Sequence, residues 1–174
     1  MSPFLRTSSV AFVALALVPT AAQEAHQADG ADVDALVSAT YDVISGSKGE
    51  ARDWDRFRRL FAEGAFMVPR TDEAGAPMRR ITPDDYVARS GPYLEGNGFF
   101  EEETDRRVRV YGDVAQVFSA YAARHTEDDA EPFMRGVNAF QLVHDGERWW
   151  IVSLVWHQEG EDTPLPGDLS DLER

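Results

Sequence analysis

The sequence predicts an α+β domain in which helices come first and an antiparallel sheet follows. Apolar residues recur at helical spacing up to about residue 90, and after Gly98 the period changes to strand-like alternation. The links between the alternating runs are short, which antiparallel neighbours tolerate and parallel ones do not.

Residues 1–22 read as a targeting leader. Arg6 is the only charge before Glu24, and Val10 to Val18 is an uncharged apolar run, of signal-core length and too short to span a bilayer. Pro19 and the small residues Thr20-Ala21-Ala22 suit cleavage after Ala22, so the expected location is periplasmic or secreted, with no membrane span once the leader is removed. Residues 23–31 are polar and small, a flexible lead.

The domain is expected over 32–159. Asp32 caps a first helix that aligns Val33, Leu36, Val37, Tyr41 and Ile44, and Gly46 closes it. Asp53 caps a second, with Trp54, Phe57, Leu60 and Phe61 on one stripe. Ala65 to Pro69 forms a short strand, and Arg70 to Arg80 a turn region. Thr82-Pro83-Asp84-Asp85 starts a third helix, which is expected to break at Gly91-Pro92. Four long strands follow: Phe99 to Tyr111, Val114 to His125, Phe133 to Val143 and Arg148 to His157. The last is apolar on both sides. One face is therefore expected on the helices and the other on a second copy of the chain, as a homodimer. Residues 160–174 read as an acidic, proline-containing peripheral tail.

Composition excludes several functions. Seventeen Lys+Arg stand against 31 Asp+Glu, a net charge of −14, which gives no surface for nucleic acid. The absence of Cys removes disulfides, thiolate nucleophiles and cysteine metal sites. His26, His125, His144 and His157 are not spaced as metal ligands, and no glycine-rich phosphate loop occurs, so neither metal nor cofactor is expected.

The segments RDWDRFRRLF (52–61), TPDDYV (82–87), GFFEEE (98–103), YGDVAQVFSAYAARH (111–125) and RGVNAFQLVHDGERWWIVSLVW (135–156) resemble the SnoaL-like branch of the nuclear transport factor 2-like superfamily. That resemblance implies three N-terminal helices packed on a strongly curved antiparallel sheet, forming a cone-shaped pocket. Against the ketosteroid isomerases of the superfamily, Tyr41 falls at a hydrogen-bonding tyrosine, Asn138 at a protonated acid and Trp156 at a pocket-wall tryptophan. The catalytic aspartate of those enzymes would fall at Met67-Val68-Pro69, where there is no carboxylate, so steroid isomerase chemistry is not expected.

If Gly112-Asp113 is a two-residue turn, Tyr111 pairs with Val114, and Glu101 lies across from Arg124. One face then holds Glu101, Glu103, Phe118, Ala120, Ala122 and Arg124, and the other Val108, Val110, Val117, Ser119 and Tyr121. Apolarity buries the second; the resemblance turns the first toward the pocket. In the last hairpin a three-residue loop groups Asn138, Phe140 and Leu142 with Trp150, Val152, Leu154 and Trp156, whereas a two-residue loop reverses one strand; the resemblance favours the first. The candidate site therefore has walls of Trp54, Phe57, Tyr86, Phe118 and Trp156, with Tyr41 and Asn138 as polar ligand contacts. Glu101, Glu103 and Arg124 are its candidate catalytic groups, because two carboxylates beside one guanidinium can split their pKa values. The competing reading is a solvated strand face with a Glu101–Arg124 surface pair. The expected function is a cofactor-free small-molecule protein, either an acid–base catalyst acting on an apolar organic ligand (dehydration, isomerisation or cyclisation) or a noncatalytic binding or association module.

Overall fold

A computed structural model of the chain describes residues 28–71, 75 and 77–170. The leader expected over 1–22 and most of the lead lie outside the described residues. Helix α1 (Val33–Ile44) begins where Asp32 accepts a hydrogen bond from Ala35 N at 2.7 Å. Helix α2 (Trp54–Arg58) starts the same way, Asp53 accepting from Arg56 N at 2.8 Å. It is shorter than the apolar stripe predicts: Leu60 lies in the following turn and Phe61 already opens strand β1 (Phe61–Arg70).

Helix α3 (Pro83–Asn97) carries the capping box of Thr82 and Asp85. The break expected at Gly91-Pro92 does not occur. Proline removes one helical donor there, but the second half is held from outside the helix. Leu94 is buried, and the Glu95 carboxylate accepts from Trp54 Nε1 at 2.8 Å and Arg52 N at 3.2 Å. A side chain at Gly91 would lie 3.3 Å from the Trp54 ring, so the glycine lets α2 approach closely.

Strands β2 (Phe100–Tyr111), β3 (Val114–Arg124), β4 (Met134–His144) and β5 (Trp149–Gln158) form an antiparallel meander. The sheet order is β1-β5-β4-β3-β2, and β1 runs parallel to β5, so the sheet is mixed rather than antiparallel. The expectation from short links did not extend to β1, which reaches β2 through the long connection that contains α3.

Two extra residues set the faces. Tyr111 pairs with Val114 as expected, but the register shifts between Glu103 and Asp105, leaving Thr104 as a bulge. Beyond it Glu103 pairs with Tyr121 and Glu101 with Ala123, not with Arg124. A one-residue slip moves side chains to the opposite face. Glu101 and Glu103 therefore join Ser119 and Tyr121, while Phe118 and Arg124 belong to the other side. In the last hairpin His144 pairs with Trp149, giving a loop of residues 145–148 in place of the three-residue turn. A second shift, at Val152, then sets Asn138 opposite Trp156 and Phe140 opposite Leu154, while Leu142 faces Ile151 rather than Trp150 or Val152.

The core lies between the helices and the first of these faces, with Leu36, Val37, Phe57, Val117, Phe140 and Ile151 at 0–1% exposure. Both ends of the domain are packed as well. Asp29, within the expected flexible lead, is buried and forms a two-bond fork with Arg56, at 2.9 Å each. In the tail, Leu169 is buried and its amide donates to Asp105 Oδ2 at 2.9 Å.

Arg52 joins the helical layer. It is buried, and its guanidinium donates to the carbonyls of Ile44, Glu50 and Gly46, with longer contacts to Ser47 and Leu94. Charge-assisted bonds of this kind contribute more than neutral ones, and the carbonyls would be left unpaired without them. Replacing Arg52 with Met should lower stability by about 3 kcal/mol, read as a lower urea midpoint with an unchanged slope.

Candidate functional site

A cavity of about 370 Å³ opens between α1, α2, α3 and the sheet. Helix α3 supplies Tyr86, Arg89, Ser90, Tyr93 and Leu94, α1 supplies Thr40 and Ile44, and α2 supplies Phe57. The sheet contributes Met67, Glu101, Tyr121, Met134, Asn138, Leu154 and Trp156. Tyr86 stacks on Phe57, with ring centroids 5.2 Å apart, and meets Trp156 edge-on at 6.2 Å, so the aromatic wall is continuous.

The polar end is a single hydrogen-bonded chain. Asn138 Nδ2 donates to Glu101 Oε1 at 3.3 Å and to the Tyr41 hydroxyl at 3.1 Å. Tyr41 and Ser119 are 2.6 Å apart, and Ser119 donates to Glu103 Oε1. With its one proton committed to that carboxylate, Ser119 accepts from Tyr41. Glu103 is held on its far side by Arg106 Nε at 2.7 and 2.9 Å, and Arg106 also pairs with Asp34 of α1. The chain thus runs from the cavity, behind α1, to the domain surface. Each polar group in it has a partner, as buried polar networks require.

Glu101 differs from the other acids. Its carboxyl borders the cavity, is half-buried and meets the Asn138 amide. Desolvation raises its pKa from 4.5 to about 8, and the Asn138 hydrogen bond only partly offsets this. It therefore holds a proton more firmly than an exposed carboxylate does. Burial, together with the Glu101 charge, also pushes the Tyr41, Tyr86 and Tyr121 hydroxyls above the usual tyrosine range. Those three phenols keep their protons and are not bases.

Of the residues chosen from sequence, Phe57, Tyr86, Glu101, Asn138 and Trp156 line the cavity. Tyr41 is one bond behind its wall. Glu103 is farther back, committed to Ser119 and Arg106. Three placements are corrected. Arg124 lies on the other sheet face, bonded to Glu102 and the Asp129 carbonyl. Phe118 is on that face too, because β3 turns Val117, Ser119 and Tyr121 toward the core. Trp54 stands outside the wall, edge-on to Phe57 at 5.9 Å. His125 stacks on Phe133 with ring centroids 4.1 Å apart, and Arg135 pairs with Glu159.

Sequence reasoning missed Tyr121 as a cavity residue. Its side chain is almost fully buried and its hydroxyl has no hydrogen-bond partner. It lies across Gly136, its strand partner, where a β-carbon would come within 2.5 Å of the phenolic oxygen. The usable signal was that pairing: a glycine inside a long strand, opposite a tyrosine, marks a close approach. Met67 was passed over because only a carboxylate was sought at that place; it puts a thioether on the cavity wall.

No family model matches the chain, and no curated protein matches it. Solved structures do. An NTF2-like protein of unknown function from Silicibacter pomeroyi is 21% identical, with TM-score 0.51, over 74% of this chain and 94% of its own. Another, from Pseudomonas putida, is 13% identical with TM-score 0.57, over 79% and 92%. A putative calcium/calmodulin dependent protein kinase II association domain from Xanthomonas campestris is 15% identical with TM-score 0.55, over 74% and 86%. At these identities the likeness concerns the backbone layout and not the site. Among the described residues, three helices on a mixed five-stranded sheet, matched along most of each neighbour, give this chain the NTF2-like fold.

Proposed function

We propose that the protein binds a small, mostly apolar organic molecule in this cavity and that Glu101 is the proton-donating group of a cofactor-free acid–base site. The observation that carries the reading is the position of one half-buried carboxyl, bonded to the Asn138 amide, at the polar end of an open, aromatic-walled cavity. A small-molecule site of this size needs an apolar body and a few convergent polar groups, and this one has both. Glu101 can give its proton to a ligand carbonyl or a leaving hydroxyl, Asn138 Nδ2 stabilises the carboxylate that forms, and that carboxylate then takes up the proton the ligand loses from carbon, which regenerates the acid. Dehydration, isomerisation and cyclisation share that requirement. Glu103 and Arg124 have no part in the mechanism, since both are engaged elsewhere. The SnoaL-like relationship belongs to this same reading, as does export by the leader. The rival, a noncatalytic association module, calls for a cavity filled by side chains, and the open space weighs against it.

2-Acetylnaphthalene is a suitable probe, having an apolar body and one ketone. It should quench tryptophan fluorescence saturably through Trp156, and Leu154→Trp, which fills the cavity, should weaken binding at least about tenfold while leaving the circular dichroism unchanged. Equal binding by that variant would place the ligand elsewhere. Exchange of the probe's methyl protons in D2O, followed by NMR, reads proton transfer: Glu101→Gln should slow the protein-dependent rate by about 100-fold. An unchanged rate would remove Glu101 from the chemistry and leave a binding protein.

The same carboxyl makes stability pH-dependent. Its folded pKa lies above its unfolded one, so between about 4.5 and 8 the unfolded chain binds fewer protons than the folded one. Stability contributed by the protonated form is complete below the unfolded pKa and is lost as pH rises to about 8. Asp145 is held near 2 by backbone amides of Arg148 and Glu147, so its effect falls at lower pH. Urea unfolding from pH 5 to 8 should therefore show falling stability in the native sequence and a flatter profile in Glu101→Gln.

A further inference from the structure

The hydrogen bonds behind the cavity run in one direction, and that direction starts at Glu103. Arg106 donates to both of its carboxylate oxygens, so Glu103 offers only acceptors to its other neighbours. Ser119 is fully buried and spends its single proton there. It can therefore only accept from Tyr41, 2.6 Å away, and Tyr41 has no second proton to give. Toward Asn138 the Tyr41 oxygen is thus an acceptor, at 3.1 Å, and Glu101 Oε1 is another, at 3.3 Å. An amide set between two acceptors must turn its NH2 group to them, which fixes its orientation. Both Nδ2 protons are then used. What Asn138 has left for the cavity it borders is its carbonyl oxygen, which receives no hydrogen bond among the described residues. Asn138 lies directly opposite Ser119 on the neighbouring strand, but it is 7% exposed where Ser119 is sealed, so the chain opens to a ligand at the amide.

On the footing that the cavity is the ligand site, we propose that Glu103 is a positioning residue which, through Ser119 and Tyr41, holds the Asn138 carbonyl oxygen toward the cavity, and that the ligand is therefore an apolar alcohol. Its hydroxyl hydrogen goes to Asn138 Oδ1, and its oxygen stays free for the Glu101 carboxyl. A ketone of the same shape satisfies Glu101 but leaves the amide oxygen unpaired and dry, which a built polar site penalises. The resemblance drawn from the sequence puts a hydrogen-bond donor at Asn138; the direction of the chain makes it an acceptor. Glu103 itself exchanges no proton with the ligand. Its part is to be an acceptor where an amide would not be. In Glu103→Gln, Arg106 claims the one remaining oxygen and the new NH2 group faces Ser119. Ser119 then donates to Tyr41 and Tyr41 to Asn138, so the amide turns over, with Nδ2 toward the cavity and Glu101 donating to Oδ1.

1-(2-Naphthyl)ethanol and 2-acetylnaphthalene share a skeleton and differ in the hydroxyl hydrogen, and tryptophan quenching reads the affinity of each. The native chain should bind the alcohol about tenfold more tightly than the ketone, and Glu103→Gln should reverse that order. Ser119→Ala keeps the Glu103–Arg106 pair and removes the group that takes the Tyr41 proton, so it should reverse the order too. Tyr41→Phe breaks the relay, and Tyr41→Phe/Glu103→Gln should therefore show the same alcohol-to-ketone ratio as Tyr41→Phe alone. An equal loss of affinity for both probes in Glu103→Gln and Ser119→Ala would be support of the fold only, and it overturns the proposal. So does an alcohol preference that these variants leave unchanged, or a native chain that prefers the ketone. A native chain that binds neither probe, or binding that Leu154→Trp does not weaken, overturns the cavity as the ligand site and the alcohol with it.

Discussion

Thr104 is the residue on which the rest of the site depends. Strand β2 is long and charged, and uninterrupted alternation would put Glu101, Glu103, Asp105 and Arg107 on one face. The register shift at Thr104 divides them. Glu101 and Glu103 turn inward to Asn138 and Ser119, whereas Asp105 and Arg107 turn outward to the C-terminal segment. One extra backbone unit thus supplies both the acid of the cavity and the side chains that meet the C-terminal segment, without any change in the hairpin at the far end of the strand.

The inward group is stable only as a whole. A lone carboxyl beside an aromatic wall would be costly to bury, and the structure limits that cost in two ways. Glu101 holds its proton more firmly than an exposed carboxylate does, with one amide contact. Glu103 keeps a charged partner, Arg106, and is reached from the cavity only through Tyr41 and Ser119. Two acids two residues apart therefore have different partners, a neutral amide for Glu101 and a guanidinium for Glu103.

Local signals were the legible part of the fold. Asp32, Asp53 and the Thr82 box each announce a helix start by a bond made within three residues, so sequence proximity is sufficient. The Tyr111–Val114 turn is equally local. What escaped was fixed by partners distant in sequence. Gly91-Pro92 reads as a break until Trp54 and Leu94 are seen to hold both halves. Thr104 has no residue type that marks a bulge; the shift shows only in the pairing of β2 with β3, whose partners are distant in sequence. The acidic tail reads as solvent-loving because Leu169 is one apolar residue among many charges, and only its landing point on β2 shows its use. For the site, Glu101, Asn138, Phe57, Tyr86 and Trp156 were legible through resemblance, while Phe118 and Arg124 were lost to the parity of a single strand.

Arg52 has a consequence for how the molecule opens. Its guanidinium connects the last carbonyl of α1, the loop that follows and, more loosely, the final turn of α3. Breathing of any one of these segments breaks bonds to a charge that the others still hold, so they should come apart together and not by independent fraying. In amide-exchange terms the C-terminal ends of two helices far apart in sequence form one cooperative unit. That unit includes Leu94 and Ile44 of the cavity wall, and its opening free energy sets how often the wall parts for something to enter.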